Sequence, residues 1–100
     1  RIGGLTKSRT FRDLCLNFGI LMTIEDSWGG DIATAAIAHL AHSTPSNFHF
    51  QSSAFHEYTD VELAKGGPSI EDGFMFVNGK PGLGVSPNFD TLGNPLKEFE

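Results

Sequence analysis

A short apolar run at residues 20–24 leads into a polar segment with two glycines at residues 26–31, and an alanine-rich stretch follows at residues 32–40. The apolar run has the length of a buried strand, and the alanine-rich stretch has the composition of a helix. The paired glycines between them favour a tight turn. This order predicts a strand that ends in polar and aromatic side chains and turns at once into a helix, with Asp31 as the helix N-cap.

A helix and a second strand are predicted on either side of this unit. Residues 7–18 place apolar side chains at helical spacing, with Thr6 as the expected N-cap and Gly19 as the left-handed residue after the helix. Residues 48–53 are the second strand candidate. The two strands are expected to be parallel, because a helical crossover returns the chain to the same end of the sheet. We therefore predict an α/β fold.

Beyond residue 58 the pattern changes to turns separated by short apolar pieces. Residues 74–77, followed by Asn78 and Gly79, predict a hairpin arm with a type I′ turn. Residues 83–85 predict a short return strand. This tail by itself indicates no function.

The length of the chain restricts how much of an α/β enzyme it can contain. A complete barrel of eight βα units needs about 200 residues or more, whereas this chain has 100 residues. The chain also begins at Arg1 without Met, in the middle of a pattern. We therefore expect a piece of a larger enzyme, with the polar residues after its strands on the ligand-binding side.

Charge and hydropathy argue against several classes of protein. The net charge is −5 with only seven Lys and Arg residues, so nucleic acid is not an expected partner. No stretch approaches the roughly 18 apolar residues of a membrane span, so no membrane is expected either. Cys15 is the only cysteine, and its apolar neighbours favour a buried structural thiol. A free thiol with no visible targeting signal favours a cytoplasmic location.

The histidines raise the possibility of a metal site, but their pattern does not favour one. His39 and His42 are three residues apart in the alanine-rich stretch, and His49 and His56 lie further on. A zinc site needs three or four converging ligands with supporting hydrogen bonds. We expect no metal on these residues and interpret His39 as a hydrogen-bonded structural histidine.

Several segments of the chain carry a resemblance to a known family. Residues 1–7 resemble the segment after the sixth barrel strand of the enolase superfamily, particularly its mandelate racemase/muconate lactonizing enzyme group. Residues 23–36 resemble the seventh strand and the helix after it, and residues 38–41 and 43–45 continue that likeness. Residues 81–85 resemble the closing segment that returns to the amino-terminal capping domain. Within the group, the likeness is greatest to dehydratases of hydroxyproline-type amino acids.

The resemblance implies a C-terminal fragment of a (β/α)7β TIM-like barrel, comprising about the last two βα units and the closing segment. Residues 1–58 would form the βα units, and residues 59–100 would form the closing segment. The implied parent enzyme is a Mg²⁺-dependent lyase or isomerase that abstracts the proton alpha to a carboxylate. The implied partners are a small carboxylate or amino-acid substrate and the missing amino-terminal part, and the complete enzyme is expected to be a homo-oligomer.

The family's catalytic groups would lie elsewhere. In the family, carboxylates on the third, fourth and fifth strands hold the metal, and lysines on the second and sixth strands act as acid and base. None of these strands is present. The sixth-strand lysine would fall just upstream of Arg1, and Lys7 lies in the helix after that strand. The resemblance therefore implies no catalytic residue and no metal ligand in this chain, which is expected to be inactive alone.

The chain is expected to supply the wall of the site that faces the substrate. Asp26 resembles the acid at the end of the seventh strand, which would bind an ammonium or ring nitrogen by a charge-assisted hydrogen bond. Trp28 would cover the substrate ring or a cation with its π-face, and Ser27 and Ser53 would complete the substrate-binding set. The alternative is that Asp26 only caps a turn and that Trp28 packs between helices.

The end of the second predicted strand differs from that of related dehydratases. These often carry an acid where this chain has Ala54, so the exact substrate is open. His56 and Glu57 are candidates for the missing polarity, although we expect both to be solvated loop residues.

Other functions also stay open at this point. The same superfamily contains racemases, epimerases and cycloisomerases, and the chain is alternatively a vestigial interaction module without catalytic chemistry. Apolar strands meant for a closed barrel leave unpaired edges when they stand alone. The isolated chain is therefore expected to aggregate or oligomerise.

Overall fold

The computed structural model describes residues 2–26 and 28–99. It contains two long helices, a parallel strand pair and a C-terminal part made of short strands. In chain order the elements are α1 (Leu5–Asn17), β1 (Met22–Ile24), α2 (Asp31–His42), β2 (His49–Ser52), a 3₁₀ helix (Phe55–Tyr58), β3 (Ala64–Lys65), β4 (Ser69–Glu71), β5 (Phe74–Phe76), β6 (Ser86–Pro87) and α3 (Phe89–Leu92).

The two strands on either side of α2 pair in parallel, as predicted. Ile24 is opposite Ser52, and Met22 is opposite His49, with a bulge after Met22. Because the pair is parallel, the C-terminal ends of β1 and β2 lie at the same edge. Both strands are shorter than the apolar patterns that predicted them.

The ends of α1 show that one cap prediction is wrong and the other is confirmed. The helix begins at Leu5 with Gly4 as its N-cap residue and no capping side chain, so Thr6 is not the cap. At the other end Gly19 has a φ of 68°. Its N–H donates to the Leu16 carbonyl at 3.1 Å, and the next N–H donates to the Cys15 carbonyl at 2.9 Å. This is a Schellman motif.

The predicted capping role of Asp31 is also wrong. Gly30 is the N-cap residue of α2, with no side-chain hydrogen bond to the helix, and Asp31 is the first helical residue. Its carboxylate instead accepts two hydrogen bonds from a distant part of the chain. An acid in the first helical turn still interacts favourably with the helix dipole.

The buried core lies around α2, which contacts α1, β1, β2 and β3. Its small side chains let these elements approach closely. Cys15 is 5% exposed, which confirms the prediction of a buried thiol. The buried residues among those described are Cys15, Ile24, Thr34, Ala35, Ile37, Ala38, Thr44, Ala64 and Pro68.

The apolar face of α1 is largely uncovered in this chain. Phe11 and Leu14 are each 51% exposed, and Phe18 is 72% exposed. Phe50, in β2, is also exposed. Large apolar side chains at helical spacing are usually buried against another layer. Phe11, Leu14 and Phe18 therefore form an exposed apolar surface, which we call the α1 face.

The C-terminal part contains the predicted hairpin, but its turn lies elsewhere. Strands β4 and β5 pair antiparallel and are joined at Asp72 and Gly73, which have φ values of 49° and 80°. Two successive positive φ values are those of a type I′ turn. Asn78 and Gly79 follow β5 and do not form the hairpin turn, so that prediction is wrong.

Asn78 instead joins two loops through its side chain. Its Nδ2 donates to the carbonyls of Gly66 at 2.8 Å and Gly84 at 2.7 Å, and its Oδ1 accepts from the Lys80 N–H at 3.0 Å. The predicted return strand is displaced to β6, which pairs antiparallel with β3. Within the described residues, no helix has both the length and the apolar character needed to cross a membrane.

Candidate functional site

Asp26 and Ser53 lie side by side where the two parallel strands end. The Asp26 N–H donates to the Ser53 hydroxyl oxygen at 3.2 Å. The same hydroxyl donates to Asp26 Oδ1 at 3.4 Å. The pairing of Ile24 with Ser52 produces this arrangement, since Asp26 lies two residues after Ile24 and Ser53 one residue after Ser52. The structure thus brings together two of the residues predicted to face a substrate.

One oxygen of the Asp26 carboxylate is buried and lacks a donor. Oδ2 has no hydrogen-bond partner among residues 2–26 and 28–99. The ion pair formed within that part of the chain joins Arg12 to Asp13, so no cationic side chain in it neutralises Asp26. A buried polar atom without a partner is unfavourable, and more so when it carries charge. The carboxylate of Asp26 therefore keeps one acceptor that no donor among these residues satisfies.

Gly29 allows the carboxylate to lie where it does. A Cβ built at this glycine would overlap with Asp26 Oδ2 and with the Cβ of Ala33. The paired glycines predict a turn from sequence, but the requirement at Gly29 is space rather than a positive φ. Its missing side chain accommodates the acid against the start of α2.

Trp28 belongs to an aromatic group formed with two residues of the 3₁₀ helix. Its ring stacks on Phe55 with centroids 5.4 Å apart and an interplanar angle of 22°. Tyr58 makes an edge contact with Trp28 at 6.3 Å and a tilted contact with Phe55 at 5.8 Å. Trp28 is nevertheless 77% exposed, so it does not pack between the helices. We call these three residues the aromatic cluster.

The backbone at Trp28 is strained. Its φ is 144°, a region that residues with a Cβ rarely occupy. Such a conformation costs about 1–3 kcal/mol and is found mostly at functional sites. The loop therefore holds the indole on Phe55 against its local backbone preference.

A shallow groove runs beside the aromatic cluster, at the end of β2. Its volume is about 410 Å³. Its lining residues are Ser52, Ser53, Ala54, Phe55, Glu57 and Tyr58. Sequence reasoning did not assign Phe55 and Tyr58 to the site. Their spacing of three residues, which places side chains on one side of a 3₁₀ helix, was the available signal.

The residues next to Ala54 differ from each other in exposure. Glu57 is exposed, as predicted. His56 is half-buried, and its Nε2 lies 3.2 Å from the Pro68 carbonyl, so its prediction as a solvated residue is wrong. Its Nδ1 is buried with no partner in the described part of the chain. His56 therefore anchors the 3₁₀ helix to the segment after β3.

Two of the sequence predictions fall on residues outside the described part of the chain. Ser27 lies outside it, so its role in substrate binding stays a prediction. Arg1 also lies outside it. The position of the general-base lysine just upstream of Arg1 is therefore untested by the structure and stays a prediction as well.

The structure tests the prediction for His39 and the possibility of a metal site. Nε2 of His39 is buried and has no partner within residues 2–26 and 28–99, which contradicts the expected hydrogen-bonded histidine. Among the same residues, no group of three or more His, Cys, Asp or Glu side chains is arranged to hold a metal ion.

Comparison with known proteins adds to this geometry. The family model for enolase C-terminal domain-like proteins matches residues 1–91. A cis-3-hydroxy-L-proline dehydratase from Roseibium aggregatum is 54% identical over 99 residues, which make up 99% of this chain and 27% of that protein. The chain thus spans about a quarter of the length of this relative.

Solved structures show the same relationship. A mandelate racemase/muconate lactonizing enzyme from Roseovarius nubinhibens is 42% identical with a TM-score of 0.89, over 95% of this chain and 26% of that one. A member of the enolase superfamily from the same organism, complexed with magnesium, is 38% identical with a TM-score of 0.88, over 97% of this chain and 27% of that one. These likenesses confirm the predicted fold, the C-terminal portion of a (β/α)7β TIM-like barrel.

Proposed function

The chain belongs to the enolase C-terminal domain-like family, and from this we propose that it supplies the substrate-side wall of a lyase that dehydrates a hydroxyproline-type amino acid. The 54% identity to a cis-3-hydroxy-L-proline dehydratase supports this choice of reaction. Because the chain spans 27% of that relative, activity would depend on residues outside this chain.

The observation that carries the proposal is the Asp26 carboxylate. Its Oδ2 is buried without a donor among the described residues, and its other oxygen is next to the Ser53 hydroxyl. A cyclic amino acid has a positively charged ring nitrogen with N–H donors. Binding that nitrogen at the carboxylate, once rotation of the side chain exposes Oδ2, would complete the hydrogen bonds of the carboxylate and compensate its charge. Asp26 would then fix the orientation of the substrate.

The aromatic cluster suits the rest of such a substrate. Trp28 presents an exposed indole beside the groove, and its stacking on Phe55 limits its movement. A five-membered ring with a charged nitrogen fits against an aromatic face through dispersion and cation–π attraction. The cluster would therefore hold the ring while Asp26 holds its nitrogen.

Dehydration requires a proton to leave the carbon alpha to the carboxylate and a hydroxyl group to leave the neighbouring carbon. The electrons of the broken C–H bond form the new double bond, and the hydroxyl leaves as water after gaining a proton. A base takes the first proton and an acid supplies the second. We place both groups upstream of Arg1, outside this chain, whose role is to orient the substrate toward them.

We assign no magnesium ligand to this chain. The described residues do not make up a cluster of three ligands, so they do not fit a magnesium site. A solved relative is complexed with magnesium. We place the Mg²⁺ of the complete enzyme on residues outside this chain.

The missing amino-terminal part is the proposed partner of the α1 face. Phe11, Leu14 and Phe18 are each at least half exposed, and apolar residues in this arrangement favour burial. The outer edges of β1 and β2 are likewise unpaired within the described residues. A closed barrel would cover both surfaces. This supports a catalytic fragment over a self-standing interaction module.

The proposal is tested in a chimera in which these 100 residues replace the matching segment of the Roseibium aggregatum dehydratase. We expect the chimera to dehydrate cis-3-hydroxy-L-proline. Asp26→Ala is expected to lower kcat/KM about tenfold or more, because a charge-assisted hydrogen bond is lost. Magnesium affinity should not change. Asp60→Ala, which removes an exposed acid outside the proposed substrate-binding set, is the control.

Two results would contradict the proposal. An Asp26→Ala chimera with unchanged kinetics would remove Asp26 from the substrate site. A folded, magnesium-binding chimera that exchanges the alpha proton in heavy water without losing water would favour a racemase or epimerase. Related dehydratases often have an acid where this chain has Ala54. Racemisation or epimerisation is therefore the alternative reaction to measure.

A further inference from the structure

We propose that Asp31 is a positioning residue, whose carboxylate clamps the loop bearing Asp26 and Trp28 to the C-terminal part of the chain. The described residues of this loop, 25–26 and 28–30, lie between β1 and α2. This inference rests on the proposed function, in which Asp26 and Trp28 face the substrate. Asp31 would act on the reaction through them and not by contact with the substrate.

The clamp consists of two hydrogen bonds to one carboxylate oxygen. Asp31 Oδ2 accepts the N–H of Leu63 at 2.7 Å and the N–H of Ala64 at 3.2 Å. Asp31 is half-buried, and Ala64, the first residue of β3, is 2% exposed. Hydrogen bonds to an ionised acceptor are about twice as strong as neutral ones. Partial burial shields these bonds from competing water.

Two glycines lie close to the residues that form the clamp, Gly30 beside Leu63 and Gly67 beside Asp31. A Cβ built at Gly30 would collide with the Leu63 side chain. A Cβ at Gly67 would lie 3.3 Å from the Asp31 Cβ and 3.4 Å from its Oδ1. The start of α2 with Gly30 before it therefore lies close to the residues on both sides of β3. This contact leaves little freedom for the end of the loop.

Leu63 is held from its other side as well. Its carbonyl accepts the Asn88 N–H at 2.9 Å, next to the pairing of β3 with β6. Asp31, Leu63 and Asn88 thus form a continuous hydrogen-bonded connection from the loop to the end of β6. The C-terminal part fixes the loop through this connection.

The loop needs such an anchor because its other contacts are weak or strained. The contact of Asp26 with Ser53 is long, at 3.2 and 3.4 Å. Trp28 has a φ of 144°. Without the clamp, relaxation of this backbone would move both the carboxylate and the indole. Small displacements of positioning groups are sufficient to impair catalysis.

The alternative role for Asp31 is purely structural, as an acid at the start of α2. An acid there stabilises a helix through its dipole. Its loss would then loosen α2 as a whole. The clamp instead predicts a local effect, confined to residues 25–30 and 62–65, while residues 35–38 in the core of α2 stay protected.

The experiment measures amide hydrogen exchange and kinetics in the same chimera with the Roseibium aggregatum dehydratase. Asp31→Ala is expected to accelerate exchange about tenfold in residues 25–30 and 62–65, because the bonds to a charged acceptor are lost. We expect KM for cis-3-hydroxy-L-proline to rise more than kcat falls. Asp31→Asn, which keeps an oxygen acceptor, should be intermediate. Asp60→Ala should behave like the unchanged chimera.

Unchanged exchange in both segments of Asp31→Ala would overturn the clamp, and so would acceleration spread evenly over α2. If Asp31→Ala does not fold, the same comparison is made with Asp31→Asn, for which unchanged exchange again refutes it. An unmodified chimera that folds but neither dehydrates the substrate nor exchanges its alpha proton refutes the proposed function. The exchange comparison would still decide the clamp in that case.

Discussion

Asp26 and Ser53 contact each other across the ends of two parallel strands, although 27 positions separate them in the sequence. The Ser53 hydroxyl accepts from the backbone of Asp26 and faces its carboxylate. One side chain therefore holds both the backbone and the functional group of the acid.

Replacing Ser53 with Ala removes the hydroxyl that holds Asp26. We expect KM to rise about fivefold in the chimera with the Roseibium aggregatum dehydratase, because a hydrogen bond of this kind contributes about 1 kcal/mol. Steady-state kinetics give the measurement. Ser46→Ala, at an exposed position in the loop before β2, is the matched control. Equal KM values for the two variants would show that Ser53 does not position the acid.

Replacing Gly29 with Ala places a Cβ where the Asp26 carboxylate lies. We expect a loss of about 1–3 kcal/mol in the free energy of unfolding, since overpacking forces neighbouring groups to move. We also expect KM to rise. A double-mutant cycle with Asp26→Ala isolates the cause. If Gly29→Ala raises KM by the same factor whether residue 26 is Asp or Ala, then displacement of the Asp26 carboxylate is not the cause of the increase.

Replacing Phe55 with Ala removes the ring on which Trp28 stacks. Aromatic pairs contribute about 0.5–1.5 kcal/mol, so we expect KM to rise roughly threefold to tenfold as the indole loses its support. Phe89→Ala is the control, because Phe89 is an aromatic residue in α3 outside the aromatic cluster. A Phe55→Ala chimera with unchanged KM would indicate that the aromatic cluster does not contact the substrate.

Replacing Asn78 with Ala leaves the carbonyls of Gly66 and Gly84 without their shared donor. We expect the free energy of unfolding to fall by about 1–3 kcal/mol, measured by chemical denaturation of the chimera. Kinetic constants of the remaining folded enzyme should change little. Asn94→Ala, at an exposed position beyond α3, provides the comparison. Equal stability of both variants would contradict the structural role of Asn78.

The isolated chain is expected to self-associate through the α1 face, because three large apolar side chains are exposed there. Light scattering after size-exclusion chromatography measures its mass. Replacing Phe11 and Phe18 with Glu should shift the chain toward monomer. A monomeric unchanged chain with a sharp two-state melt would contradict the proposal that this face is covered by further protein.

Local patterns in the sequence were enough to predict both long helices, the two parallel strands and the left-handed residue Gly19 after α1. Each depends on residues that are neighbours along the chain, such as the apolar run at 20–24 and the glycine after α1. The sequence also placed Asp26 and Ser53 in one substrate-binding set, but their contact appears only in the structure, where the parallel pairing of β1 and β2 brings the two strand ends together.

Tertiary structure alone decided what the polar side chains do. Asp31 has the sequence context of an N-cap, yet its carboxylate is bound by N–H groups more than 30 positions away. Asn78 precedes glycine as in a hairpin turn, but it joins two loops, while Asp72 and Gly73 make the turn. Local propensity ranks conformations that differ by about 1 kcal/mol or less. Hydrogen bonds between distant segments, formed only once the chain has folded, outweigh such differences.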